Sequence, residues 1–252
     1  MVDHSQCKLG KQAARHDKRT LMMANYVTGS LPAPPDAIDY TKQITNLGVM
    51  LNNQLGDCTA AGVGHLRQAW TATNGNQKIW GDDQIQTIYS LTGGYVPGND
   101  LTDNGAVEID VLNYWRQTGF YGDQITAYMA LEPNNSLHIK QAIQLFGGVY
   151  GGYALPKSAQ NQTVFHLSPG GTAGDASPGS WGGHCMVACA YNHIGPIVIT
   201  WGIFKQTTWQ WWNAYCDESY AILSSDWAAP GVLAPSGLSL NNLKADLQLV
   251  TA

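Results

Sequence analysis

The sequence predicts an α+β fold, with its helices early in the chain and its strands later. Up to residue 147, apolar side chains recur at three-to-four spacing in several stretches. After that point they come in short runs bounded by turn residues, as buried strands do. Between the first and second of those runs, Ser168 to Gly183 holds six glycines and two prolines, which excludes helix or strand over 16 residues. Helices followed by strands imply two sub-regions facing each other across one core.

The first body helix is expected to start near Cys58, with Asp57 as its cap and Val63, Leu66, Ala69 and Trp70 on one face. Gly62 and Gly64 would weaken an exposed helix but suit one packed closely on a neighbour. A second helix is read over Ile85 to Leu91. A third covers Ala106 to Thr118, with Val107, Val111, Leu112 and Trp115 on one side and Gly119 to end it. A fourth, Leu137 to Phe146, stops at Gly147-Gly148, a glycine signal for a helix C-terminus. The expected strands are Val149 to Leu155, Cys185 to Tyr191, Ile197 to Trp201 and Tyr220 to Leu223.

Residues 1–30 read as an arm, polar and basic early (Lys8, Lys11, Arg15, His16, Lys18, Arg19) and carrying one short helix near Leu21, Met22 and Met23. Leu31-Pro32-Ala33-Pro34-Pro35 cannot be helical and forms the hinge to a body spanning 31–252. A surface-packed tail is the plainer reading of the arm.

Bulk composition excludes several classes. The net charge of −5 gives no basic footprint, so nucleic acid is not an expected partner. No apolar run reaches the length of a membrane span, and residues 1–10 carry no apolar signal core. A cytoplasmic or virion-associated location is the expectation. Only 12% of residues are charged, so solubility leans on uncharged polar side chains. The five cysteines form no CxxC pair, which fails the spacing of a zinc ribbon.

Two segments carry the chemistry. In Asn52-Asn53-Gln54-Leu55-Gly56-Asp57-Cys58-Thr59, the cysteine falls at the first turn of a helix, where the macrodipole and free N–H groups favour thiolate. Gly56 leaves room for a substrate backbone, and an upstream amide could donate to an oxyanion. The plainer alternative is a buried cysteine at a helix start. In Gly182-Gly183-His184-Cys185-Met186-Val187, a histidine enters an apolar strand directly after glycines, at a strand mouth rather than mid-core. An imidazole there can take a thiol proton and return it to a leaving amine. A hydrogen-bonded structural histidine is the alternative.

These segments, in this order, resemble the papain-like cysteine peptidase superfamily. Leu31-Pro32 through Asp39-Tyr40 is similar to the mature start of such enzymes. His184 lies 126 residues (184 − 58) after Cys58, and Trp201-Gly202 with Tyr220-Ala221-Ile222 resembles their closing motifs. Leu55-Gly56-Asp57-Cys58-Thr59 also resembles papain-like proteins of phages and bacterial genomes. The resemblance covers roughly residues 31–225. It implies a helical half led by the Cys58 helix packed on an antiparallel β half carrying His184, with the site between them. It also implies attack by Cys58 on a peptide or amide carbonyl, a thioester intermediate, His184 as base, and no metal or organic cofactor. Peptides or peptidoglycan-like cross-links are the implied substrates, and residues 1–30 stand where relatives carry a pro-segment.

The pattern departs from the family in places. Six residues before the cysteine, the family's oxyanion glutamine is Asn52, with Gln54 the right residue type at the wrong offset. Where the family's base-orienting asparagine should stand there is Ile199, leaving Thr200 or Asn192 as candidates. These departures keep a second reading open, a catalytically silent papain-like module for binding or virion structure.

Overall fold

In the computed structural model, which describes residues 4–18, 20–25 and 33–228, the Cys58 helix is the spine of the molecule. Helix α1 (Cys58–Thr73) buries every residue except Arg67 and Thr73. Its small side chains let the sheet come close. A Cβ on Gly62 would lie 2.9 Å from the Tyr150 ring and 3.1 Å from Cys185 Sγ, and one on Gly64 would lie 2.6 Å from Met50 Sδ. Larger residues there would overpack the core, at about 1–3 kcal/mol. At the far end Trp70 stacks on Trp115 at 6.0 Å. Arg67 closes the helix with ion pairs to Asp123 at 2.6 Å and Asp226 at 3.1 Å.

The other helices lie close to their expected extents, and the differences have local causes. Helix α2 (Asp82–Gly93) starts earlier than the apolar pattern shows, because its first turn is Asp82 and Asp83. Acidic side chains suit that end of a helix but carry no apolar signal. Helix α3 (Glu108–Gln117) starts later than Ala106, because Ala106 spends its backbone elsewhere: it is bridged to Lys11 of the arm. Helix α4 (Ser136–Phe146) is capped by the Asn135 side chain and ends at Gly147, whose φ of 74° is a left-handed conformation that glycine adopts without strain.

Among the described residues eight strands form one largely antiparallel sheet: β1 (Leu21–Met22), β2 (Ile38–Asp39), β3 (Ala127–Ala130), β4 (Val149–Leu155), β5 (Gly182–Tyr191), β6 (Pro196–Thr200), β7 (Ile203–Gln206) and β8 (Cys216–Leu223). Their order is β1-β3-β8-β4-β5-β6-β7, with β2 also on β5. The four expected strands are β4, β5, β6 and β8. Strands β1, β2, β3 and β7 are too short to show period-two alternation, and helix α5 (Trp209–Tyr215) was hidden in a tryptophan cluster. Trp211 and Trp212 of α5 are fully buried. The glycine-rich segment is a loop as expected, with a single 3-10 turn at Gly174–Ala176, and its last two glycines open β5.

The arm is not a loose tail. Strand β1 runs parallel to β3, and a 3-10 turn at Met23–Asn25 is the short helix. Residues 4–12 cross between the helical half and the sheet, as detailed below. Leu31 and Pro32 of the hinge and the chain after residue 228 lie outside the described residues, while Pro35 accepts a hydrogen bond from the Tyr191 hydroxyl at 2.7 Å. Among the described residues no helix is long and apolar enough to cross a membrane.

Candidate active site

Cys58 is the first residue of α1 and is 1% exposed. The loop leading to it is bent at Met50 and Leu51, both left-handed with φ of 54° and 61°. Non-glycine residues adopt that conformation only where the surroundings impose it, at about 1–2 kcal/mol each. The bend brings Asn52 inward, and its Nδ2 donates to Asp57 Oδ1 at 3.1 Å. Asp57 occupies the cap position, but its side chain does not cap the helix: it receives Asn52 instead. Burial raises the Asp57 carboxyl well above the usual range, against the pull of the Asn52 bond.

The sulfur of Cys58 accepts a hydrogen bond from the Cys185 backbone N–H at 3.3 Å, which ties α1 to β5 beside His184. The sequence led us to expect a depressed thiol pKa, and the structure shows the opposite. Burial pushes the Cys58 thiol up to about 12, although the amides of Cys185 and Gly10 favour the thiolate. His184 is buried as well. Its Nε2 lies 2.8 Å from Thr200 Oγ1, and its ring stacks on Trp201 at 4.4 Å. Burial, then His4, lowers the imidazole to about 3. Nδ1 has no hydrogen-bond partner, and no hydrogen bond joins His184 to Cys58. The resting pair is therefore a thiol and a neutral imidazole.

Thr200 closes β6, directly before Trp201, whose φ of 46° is again left-handed. The strained residue turns the chain so that the indole covers the imidazole. Thr200→Val should leave Nε2 buried without a partner, which costs about 1–3 kcal/mol. Thermal unfolding should report a lower midpoint, and Thr200→Ser should restore most of it; equal midpoints for Thr200→Val and the unaltered chain would show that the bond carries no stability.

Both groups are dry because the arm lies over them. Trp201 Nε1 donates to Lys8 O at 3.2 Å. Ala106 N donates to Gly10 O at 2.8 Å, Gln12 N to Ala106 O at 3.0 Å, and Lys11 N to Gly183 O at 3.1 Å. The arm thus bonds the start of the α3 segment on one side and β5 on the other. Gly10 packs against Gly56, where a Cβ would fall 1.7 Å from Gly56 O, so only glycine fits. His4 also stacks on Trp201, at 5.1 Å. Arg19 lies outside the described residues; among the described basic residues expected to dock on the body, Lys11 pairs with Asp217 and Glu218, and Arg15 with Asp110.

The fold therefore brings together Cys58, His184 and Thr200. Asn52 is buried next to them but turned to Asp57, Gln54 is exposed on the loop, and Asn192 bonds Gln206 at 2.8 Å in the β5–β6 turn, away from the imidazole. Sequence reasoning missed the Cys185 amide, because backbone donors leave no mark on residue type. It also missed Glu108 and Glu218, whose only signal is their presence beside apolar runs in a chain poor in charge. All five cysteines are free, and among the described residues no cluster could hold a metal ion.

No family model matches the chain, and no curated protein resembles it significantly in sequence. Solved structures do resemble it. Xylellain, a cysteine protease from Xylella fastidiosa, superposes with a TM-score of 0.64 at 14% identity, over 87% of this chain and 97% of that one. Digestive procathepsin L 3 of Tenebrio molitor larval midgut gives 0.59 at 12% identity, over 87% and 77% of the two chains. Procathepsin B S9 from Trypanosoma congolense gives 0.58 at 9% identity, over 88% and 87%. The chain has the fold of the papain-like cysteine proteases, as its motif order implied. The phage association suggested by Leu55 to Thr59 finds no support in these matches.

Proposed function

We propose that this chain is a cysteine hydrolase of peptide or amide bonds, with Cys58 as nucleophile and His184 as base, and that residues 4–12 hold it closed. The observation that carries the reading is the convergence of three features at one point: a cysteine at a buried helix N-terminus, an imidazole held by Thr200, and a peptide segment bonded across both walls. When the arm leaves, water reaches the sulfur and the burial that raises the thiol pKa is relieved. With Nε2–H donated to Thr200, the Nδ1 lone pair takes the thiol proton. The thiolate adds to the carbonyl carbon, and the tetrahedral oxyanion collapses to a thioester as His184 passes its proton to the departing amine. Water, deprotonated by the same nitrogen, then cleaves the thioester and the thiol reforms. The second hydrogen of the Asn52 amide is the proposed oxyanion donor, with Gln54 in reserve. Peptidoglycan-type cross-links would follow the same chemistry.

One observation favours a silent binding module instead: Cys58 and His184 share no hydrogen bond, and both are held uncharged. Labelling separates the readings. In a full chain opened by Gly10→Val, a cysteine-directed electrophile should modify Cys58 far faster than Cys7, Cys185, Cys189 or Cys216, as located by mass spectrometry. Labelling of Cys58 only after denaturation would remove the hydrolase reading.

A further inference from the structure

Among the described residues of the arm, Lys11 is the only lysine or arginine that is buried in the body. Its side chain is 1% exposed, with Nζ 3.0 Å from Asp217 Oδ1 and 3.0 Å from Glu218 Oε1. The other oxygen of Glu218 accepts the Tyr220 hydroxyl at 2.8 Å, which fixes the carboxylate. A third carboxyl, Glu108 at the start of α3, is completely buried beside the Cys185 thiol. Burial alone lowers the Lys11 ammonium, and the charges of Glu108, Glu218 and Asp217 more than reverse this, holding it above its usual value. The shaft passes over Gly152, where a Cβ would fall 2.0 Å from Lys11 Cε and 2.7 Å from Glu218 Cγ. The hole is thus shaped for a long unbranched stem and floored with more negative charge than one ammonium neutralises.

The backbone around Lys11 is held by bonds that any peptide can make: Ala106 N to Gly10 O, Gln12 N to Ala106 O, and Lys11 N to Gly183 O. Main-chain bonds give affinity without choice, and the side-chain hole gives the choice. Once the arm departs, three carboxyl groups face each other around an empty cavity. An apolar occupant would leave the buried Glu108 and Glu218 without a counter-charge, an acidic one would add repulsion, and a cation would relieve both.

We propose that this hole is a side-chain subsite of the cleft and that it selects a lysine or arginine of the peptide substrate. The proposal rests on the hydrolase reading for the word substrate, whereas its main test needs no bond cleavage. A full chain carrying Gly10→Val and Cys58→Ala would be titrated with the peptide of residues 4–12 bearing Lys, Arg, norleucine or Glu at position 11, followed by fluorescence anisotropy. The Lys and Arg peptides should bind at least about 10-fold more tightly than norleucine, the Glu peptide should not bind, and Glu218→Gln should erase most of the preference. Equal or tighter binding of norleucine overturns the proposal, as does failure of every peptide to bind. A second measurement avoids Gly10→Val altogether. In the otherwise unaltered chain, Lys11→Met should accelerate hydrogen exchange over residues 8–12 and Lys11→Arg should not; equal protection in Lys11→Met overturns the subsite. If Cys58 proves unreactive while these preferences hold, the hydrolase reading fails and the cation-selective groove stands.

Discussion

A full chain carrying Gly10→Val should label at Cys58 at least about 10²-fold faster than the unaltered chain at pH 7.5. The argument is steric first. A side chain at residue 10 would overlap the Gly56 carbonyl, which is backbone and cannot rotate away, so the arm must lift. The chemistry follows from burial. A thiol pushed up to about 12 is thiolate in roughly one molecule per 10⁴–10⁵ at that pH, whereas a free thiol near 8.5 is about one-tenth ionised. A nucleophile activated by a helix N-terminus would gain further. Rates of adduct formation under excess electrophile measure the ratio directly. Equal rates would mean that the arm does not close the site, leaving it as a packing or assembly element. Gly122→Val, at a position where a Cβ meets nothing, controls for a general loss of stability.

His184→Ala in the opened chain should lower turnover on a cleaved peptide by about 10²–10⁴, the usual contribution of a positioned base. It should also move the pH midpoint of Cys58 labelling up toward about 8.5, that of an unassisted thiol. An unchanged pH–rate profile would leave His184 as a structural residue. The same imidazole gives the closed chain a pH dependence whose sign follows from its shift. His184 is depressed from 6.5 to about 3 while the arm covers it. Stability of the closed state is therefore present in full above about 6.5 and is lost as pH falls toward 3, since only the open state can protonate the ring freely. Hydrogen exchange over residues 8–12, corrected for intrinsic rates, should accelerate relative to the body across that window. Protection that stays constant from pH 7 to 4 would show that His184 is not coupled to the arm.

What the sequence by itself determined about this protein was set by local physics. Helix α1 begins at Cys58, α4 ends at Gly147, and β4, β5, β6 and β8 fall where apolar runs meet turn residues, because periodicity and glycine chemistry act within a few positions. The order of Cys58, His184 and Trp201 was enough to imply the fold. The tertiary structure alone decided the state of the site. A helix N-terminus promised a low thiol pKa, but desolvation by a segment nearly fifty residues upstream outweighs it, and no local pattern reports burial by a distant segment. Asn52 donates to Asp57 because the left-handed bend at Met50 and Leu51 turns it there, and Thr200 meets His184 because β5 and β6 are antiparallel neighbours with Val187 opposite Ile199. Lys11, Glu108 and Glu218 are separated by about a hundred residues from one to the next, and each reads alone as an ordinary surface charge. Only the packing of the arm between α3 and β8 makes them a single buried cluster, since the energy of a charge depends on what the fold places around it.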